Sequence, residues 1–167
     1  ETMHMRETCS NICDANGEAI LWTNGMEIFG KHGVQIADTI AFDGDMFGYW
    51  DYYYNPGYGP FGFPKHTGAL ILPIPNSDEE YSVITHSAEI HPEGYFQVSK
   101  YLESRVRMDR DTSFSVLFKD SLIGPHFKWY TGPIIVPRHT NGRVWWIINF
   151  EMDSPRYFSH LLDPTGI

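Results

Sequence analysis

Eight histidines are the side chains of this sequence most suited to chemistry, because neutral imidazole is a common ligand for transition metals. Three of them, His86, His91 and His139, lie in or beside segments with strand-like patterns. Together they are the candidate metal ligands of a β-rich, metal-dependent enzyme. His86 and His91 are five residues apart, so a regular strand would point them to opposite sides of a sheet. The alternative is that all three are surface or hydrogen-bonded structural histidines.

Cys9 and Cys13 are a second candidate metal site, next to the Met-His-Met run at residues 3–5. Sulfur ligands of this kind suit Cu(I) or zinc. The stretch from Cys9 to Cys13 resembles the copper-binding loop of oxidase subunit II, but that family needs a histidine soon afterwards and Gly17 lies near its expected position. A disulfide or two free thiols is therefore the favoured interpretation.

Composition excludes several classes of function. The net charge is −9, from 12 basic and 21 acidic residues, whereas nucleic acids and anionic membranes bind clustered Lys and Arg. No apolar run approaches the roughly 20 residues that span a bilayer. The sequence contains no Gly-x-Ser-x-Gly elbow and neither glycine-rich phosphate motif, so we expect no nucleotide cofactor and no catalytic residues of those types.

The 167 residues are enough for one globular domain, 1–167. Because the chain begins with Glu1, we expect a fragment of a larger signalling protein. Alternating or continuous apolar residues bounded by turn signals predict strands. The predicted strands are Ala19–Trp22, Tyr49–Tyr54, Ala69–Ile74, Tyr81–Ile90, Tyr95–Val98, Ser113–Lys119, Phe127–Tyr130, Ile134–Pro137 and Arg143–Glu151.

A few short helices complete the prediction. Apolar residues at helical spacing predict a helix over residues 97–108. Ser154 and Pro155 are typical of a helix start, which predicts a terminal helix over 157–162. Asn24-Gly25 predicts a turn, followed either by the second strand of a short hairpin or by one helical turn over residues 26–29. Asn141-Gly142 predicts a hairpin turn. The expected fold class is α+β, with a mostly antiparallel central sheet.

The first half resembles the Cache branch of the PAS-like sensor domains. The resemblance covers residues 12–90 and is carried by the stretches 12–21, 29–31, 48–56 and 64–65, with Asp38. These give, in order, an aspartate-turn-glycine strand, a Gly-Lys step, a Gly-Tyr aromatic strand and a Pro-Lys pair. The long helix that usually precedes the first strand is missing from this pattern. Residues 132–150 also resemble the last hairpin of GAF or PAS-like sensors.

This resemblance implies a PAS-like fold and a small-molecule sensory domain without catalysis, acting in signal transduction. The ligand would lie over one face of the sheet, against an aromatic wall whose carboxylate could fix an amine. The implied ligand-binding residues are Tyr49, Trp50, Asp51, Tyr52 and Tyr54. The family would also place the domain outside the cytoplasm. The alternative is that these rings are ordinary core packing.

Two other functions remain open. One is a cupin-like metal-dependent enzyme that uses His86, His91 and His139, although a cupin needs a His-x-His pair that these spacings do not supply. The other is a structural or interaction protein in which the aromatic-rich loop makes the contacts, as Tyr and Trp often do at interfaces. The expected partners are a small organic ligand and, in one alternative, a second copy in a homodimer.

Overall fold

Three antiparallel β-sheets make up this computed structural model, which describes residues 8–37, 68–90, 92–93, 96–110, 113–125 and 134–167. Sheet I contains β1 (Ser10–Cys13), β2 (Ala19–Thr23), β3 (Ile28–Gly30) and β4 (Val34–Ala37), in that order. Sheet II contains β5 (Ala69–Pro73), β6 (Glu80–Ile90), β7 (Phe96–Arg110) and β8 (Ser113–Ile123). Sheet III contains β9 (Trp145–Phe150) and β10 (Tyr157–Leu162).

Each sheet is a meander, in which neighbouring strands are also neighbours along the chain. Sheet III has a third member on the far side of β9, because Ile135 bridges Ile148 and Arg138 bridges Trp145. The order of the third sheet is therefore the 134–138 segment, β9, then β10. The described helical structure is a single 3-10 turn, Lys31–Gly33, between β3 and β4.

Sheet II is the middle layer, because it packs against sheet I on one face and sheet III on the other. The first interface joins residues such as Leu21 and Ile28 of sheet I to Val83 and Val106 of sheet II. The second interface joins the opposite face of sheet II to sheet III. In it, Ile147 and Leu162 of sheet III pack against the core residues of sheet II. Strand β6 is consequently buried on both faces over residues 81–87.

The predicted α+β class is wrong, since the described residues form an almost entirely β structure. The helix predicted over 97–108 is part of strand β7. A bulge opposite Ser87 puts Val98 and Tyr101 on the same face, towards sheet III, while Leu102 and Val106 face sheet I. Because both faces of β7 are covered, its apolar residues do not alternate, and the bulge gives them a spacing that resembles a helix.

The predicted terminal helix over 157–162 is also wrong, because these residues form strand β10, paired with β9. Ser154 accepts a hydrogen bond from the Arg156 N–H in a turn, with Asp153 at a φ of 55°, and does not cap a helix. After Asn24-Gly25 the hairpin alternative is confirmed and the helical turn is wrong, because residues 28–29 belong to β3, which pairs with β2. These turn residues are typical of helix starts as well as hairpins.

Several strand predictions are confirmed, namely those that correspond to β2, β5, β6, β8 and β9. The Asn141-Gly142 hairpin is confirmed too, since the His139 N–H donates to the Val144 carbonyl across it. The strands predicted over Tyr49–Tyr54 and Phe127–Tyr130 lie outside the described residues. In the part of the chain that the structure describes, no helix has the length and apolar character needed to cross a membrane.

Candidate functional site

The aromatic wall implied by the sensor resemblance lies outside the described residues. This applies to all five of its members, Tyr49, Trp50, Asp51, Tyr52 and Tyr54. It also applies to His91, one of the three candidate metal ligands. The described part of the site predicted from the sequence is therefore limited to His86 and His139.

His86 is fully buried on the face of β6 that packs against sheet III. Its ring meets the Tyr101 ring edge to face, with 4.4 Å between the centroids. Burial lowers the pKa of His86 to about 3 and raises that of Tyr101, because both charged forms would lose their hydration. Both side chains are therefore neutral near pH 7.

His139 lies in the 139–144 turn instead, where its Nδ1 accepts a hydrogen bond from the Asn141 N–H. Its ring lies 5.7 Å from that of Trp146, whose side chain points away from sheet II. His86 faces the interior between two sheets, so the structure does not bring these two histidines together. Among the described residues, no three His, Cys, Asp or Glu side chains form a group that could hold a metal.

The two cysteines are free thiols, both exposed on or beside β1. Four residues along a strand separate their Cα atoms by about 13 Å, which is beyond the reach of a disulfide or a shared metal ion. The disulfide and copper-loop alternatives therefore fail here. On a helix the two thiols would share one face, but Ser10–Cys13 form strand β1.

A buried ion pair between sheets II and III was not predicted from the sequence. Arg105 Nη2 lies 3.0 Å from Glu103 Oε1, and both residues are buried on β7. The guanidinium also lies over the Phe118 ring, 5.2 Å from its centroid. A carboxylate and a guanidinium two residues apart on a strand share a face, but nothing in the sequence shows that the face is covered.

Further polar groups are buried between the same two sheets. Asn149 and Ser82 have side-chain atoms with no hydrogen-bond partner, and so does His160 at its Nε2. Burial also lowers the pKa of His160. Gly124 fits closely against this ring, since a Cβ there would lie 2.8 Å from His160 Cε1. Such groups are commonly satisfied by internal water.

The outer face of sheet III is an exposed apolar surface of the described structure. Leu162 and Phe158 pack in the core against sheet II, so alternation places Phe158, His160 and Leu162 of β10 on the inward face. The opposite face carries six large side chains: Ile135, Trp146, Ile148, Phe150, Tyr157 and Leu161. Phe150 is 45% exposed and Tyr157 66% exposed, although their rings are only 6.5 Å apart. We call this surface the outer face of sheet III.

This surface could have been found from the sequence only in part. The run from Trp145 to Phe150 is apolar at five of its six positions, which is typical of a strand covered on both faces. Strand β10 was predicted as a helix, so the residues it adds to the surface were missed.

Compared with known proteins, the chain matches no family model, no curated protein and no solved structure.

Proposed function

We propose that this chain is an interaction module built as a stack of β-sheet layers, and that the outer face of sheet III binds a further antiparallel sheet with an apolar face. The observation that carries this proposal is the exposure of large apolar side chains on one continuous sheet face. Exposed apolar patches of this kind mark interaction surfaces in soluble proteins.

The two interfaces inside the molecule support the choice of a β-sheet as the partner. Both join the apolar face of one antiparallel sheet to that of the next, in chain order. Stacked four-stranded meanders also build β-propellers, in which each blade packs against its neighbours. Sheet III has one covered face, towards sheet II, and its other face carries the same kind of side chains as the covered one.

The size of the surface sets the expected strength of binding. Three adjacent strands about 4.8 Å apart and six residues long cover about 300 Å² of flat sheet. Patches of this size are the largest found on typical monomers and are often functional. They are smaller than one side of a standard protein interface, so we expect weak, reversible association.

Association through the edge at β8 is less favourable. Strand β8 has exposed apolar residues, including Val116 and Leu117. Its pairing with β7 is interrupted at three places, and Asp120 has a φ of 56°. Bulges are one of the means by which proteins protect sheet edges from pairing with other strands. The flat face of sheet III has no comparable irregularity, since β9 and β10 pair in unbroken register.

The small-molecule sensor and the metal-dependent enzyme stay predictions from the sequence. No described contact supports the first, because its aromatic wall lies outside the described residues. The second would need His86 to leave its buried contact with Tyr101, at a cost that grows with the burial of the ring.

Self-association of the chain tests the interaction module, because a second copy supplies an apolar sheet face of the required kind. We expect the weight-average mass in sedimentation equilibrium to rise with concentration in the micromolar to millimolar range. The variant Phe150→Thr/Tyr157→Thr removes the two rings and places a residue of high strand propensity at both positions. It should be monomeric over the whole range.

The matched control is Val116→Thr/Leu117→Thr, which makes two exposed apolar positions of β8 polar. It should associate as the unmodified chain does. The proposal is refuted if the unmodified chain stays monomeric up to about 1 mM, where binding would be worth only about 4 kcal/mol. It is equally refuted if the two double variants weaken association to the same extent.

A further inference from the structure

Strand β10 has an edge that no described strand pairs with, and this edge is distinct from the outer face of sheet III. The pairing pattern identifies the groups on it. The N–H groups of Trp146 and Ile148 donate to the 134–138 segment, so the alternate residues of β9 bond to β10. The register then directs the main-chain groups of Tyr157, Ser159 and Leu161 away from β9, along the open edge.

Asp163 follows Tyr157, Ser159 and Leu161 as the next alternate residue whose main-chain groups point to this edge. Its main chain is already hydrogen-bonded there. The Asp163 N–H donates to the Gly166 carbonyl, and the Gly166 N–H donates to the Asp163 carbonyl, both at 3.1 Å. This two-way exchange is the hydrogen-bonded pair of an antiparallel ladder, closed by the two-residue loop Pro164-Thr165. An antiparallel strand that continued from Gly166 in this register would run back along β10.

The turn is held in this geometry by its own side chains. The Asp163 carboxylate accepts hydrogen bonds from the N–H and the hydroxyl of Thr165, and these bonds lower the pKa of Asp163. Pro164 occupies the turn position that favours its fixed φ. The Asp14 carboxylate likewise accepts the N–H of the residue two positions on, Asn16, in the turn between β1 and β2. That turn is one residue longer, because the Asp14 N–H donates to the Glu18 carbonyl.

Apolar surface lies uncovered where such a strand would begin. Gly166 packs against Arg105 so closely that a Cβ on it would collide with Nη2. The Arg105 guanidinium lies over the Phe118 ring, and both residues are on the same face of sheet II. Phe118 is 36% exposed to solvent. In the ladder, Ile167 would pair with Leu162, which is fully buried, so its side chain would face the same interior.

We propose that the open edge of β10 is a docking site for one extended strand, which leaves the Asp163–Gly166 turn in register from Ile167 and completes sheet III as a four-stranded meander. The occupant needs apolar residues at every second position, starting with Ile167, to cover the sheet II surface. It needs free N–H groups at the positions between them, to bond to Leu161, Ser159 and Tyr157.

The two outer edges of sheet II are less suited to a further strand than the edge of β10. At β5, the Ile71 N–H donates to Ser10 Oγ and the Gly68 N–H, just before the strand, donates to Thr8 Oγ1, so side chains already cap that edge. At β8, three register shifts interrupt the strand. Strand β10 pairs without interruption and has a turn that sets the register of a further strand.

The experiment extends the chain after Ile167 by the tail Thr-Val-Thr-Val-Thr and measures amide hydrogen exchange by NMR. The three Thr residues fall at the positions that bond to β10. We expect exchange at Tyr157, Ser159 and Leu161 to slow at least tenfold relative to the unextended chain. His160 and Leu162, whose N–H groups face β9, serve as internal references.

The control tail is Pro-Val-Pro-Val-Thr, which keeps the length and the Val residues but removes two of the bonding N–H groups. It should leave exchange at Ser159 and Leu161 as fast as in the unextended chain. Equal protection by both tails, or no protection by either, overturns the proposal. Protection of all three amides before any extension also overturns it, because the edge would then be occupied by another part of the chain.

This proposal does not depend on association through the outer face of sheet III. The exchange experiment is therefore repeated in the Phe150→Thr/Tyr157→Thr variant, read at Ser159 and Leu161. Protection by the Thr tail in that variant supports the edge site even if self-association has failed. Loss of the protection in that variant overturns the edge site as a separate surface.

Discussion

The buried imidazole of His86 predicts a specific loss of stability in acid. Burial lowers its pKa in the folded protein to about 3, against 6.5 in the unfolded chain. Because the folded value is the lower one, the unfolded chain takes up a proton that the folded protein excludes. The contribution of His86 to stability is therefore complete above pH 6.5 and is lost progressively as the pH falls towards 3.

The magnitude follows from the proton uptake. Each pH unit below 6.5 removes about 1.4 kcal/mol from the free energy of unfolding, as long as the folded protein stays unprotonated at this site. Between neutral pH and about pH 5, His86 alone should cost about 2 kcal/mol. For a chain of this length, that corresponds to a fall in melting temperature of about 4–8 °C.

The assay compares the unmodified chain with His86→Gln by urea unfolding at neutral pH and at about pH 5. Glutamine keeps a polar side chain but does not titrate. The variant should lose about 2 kcal/mol less than the unmodified chain over this interval. Any difference in stability at neutral pH cancels, because only the change with pH is compared. Parallel loss of stability in the two proteins would show that His86 is accessible to protons in the folded state and would refute the reasoning.

Two further predictions concern the interface between sheets II and III. Ile84→Ala, at a fully buried position facing sheet III, should lower the free energy of unfolding by about 2–5 kcal/mol, measured by urea unfolding. Arg105→Met should cost about 3–5 kcal/mol because it leaves Glu103 buried without its cation, and adding Glu103→Leu should recover much of that loss. A double variant no more stable than Arg105→Met would contradict this account.

The strands could largely be predicted from the sequence, whereas the class of fold could not. Segments with a continuous apolar run and clear turn signals, such as β5 and the hairpin at Asn141-Gly142, were located correctly. Strand β7 failed because the predicted helix rested on four apolar residues that in fact point to two different sheets. The pattern of apolar residues along the sequence does not reveal that a strand lies in the middle of three sheets. In such a strand both faces are buried, so apolar and polar residues no longer alternate.

The candidate surface was missed for a related reason. The resemblance to sensor domains directed attention to the ring-rich segment at residues 49–54, whose aromatic residues are close together in the sequence. The outer face of sheet III instead collects single residues from three separate segments. Only the register between β9 and β10 places Phe150 beside Tyr157, and no local pattern encodes that register.

The edge of β10 and the outer face of sheet III are separate surfaces, but occupation of one should favour occupation of the other. A fourth strand would widen the sheet from about 14 Å to about 19 Å and enlarge the flat face in proportion. Its outward side chains would lie beside Tyr157 and Leu161, at the margin of the present surface. The fourth strand would also be ordered before the outer face of sheet III binds a partner. The entropy lost in ordering that strand would then not reduce the free energy of binding. The two sites are therefore linked thermodynamically, and a layer that binds the face should tighten when the edge is filled.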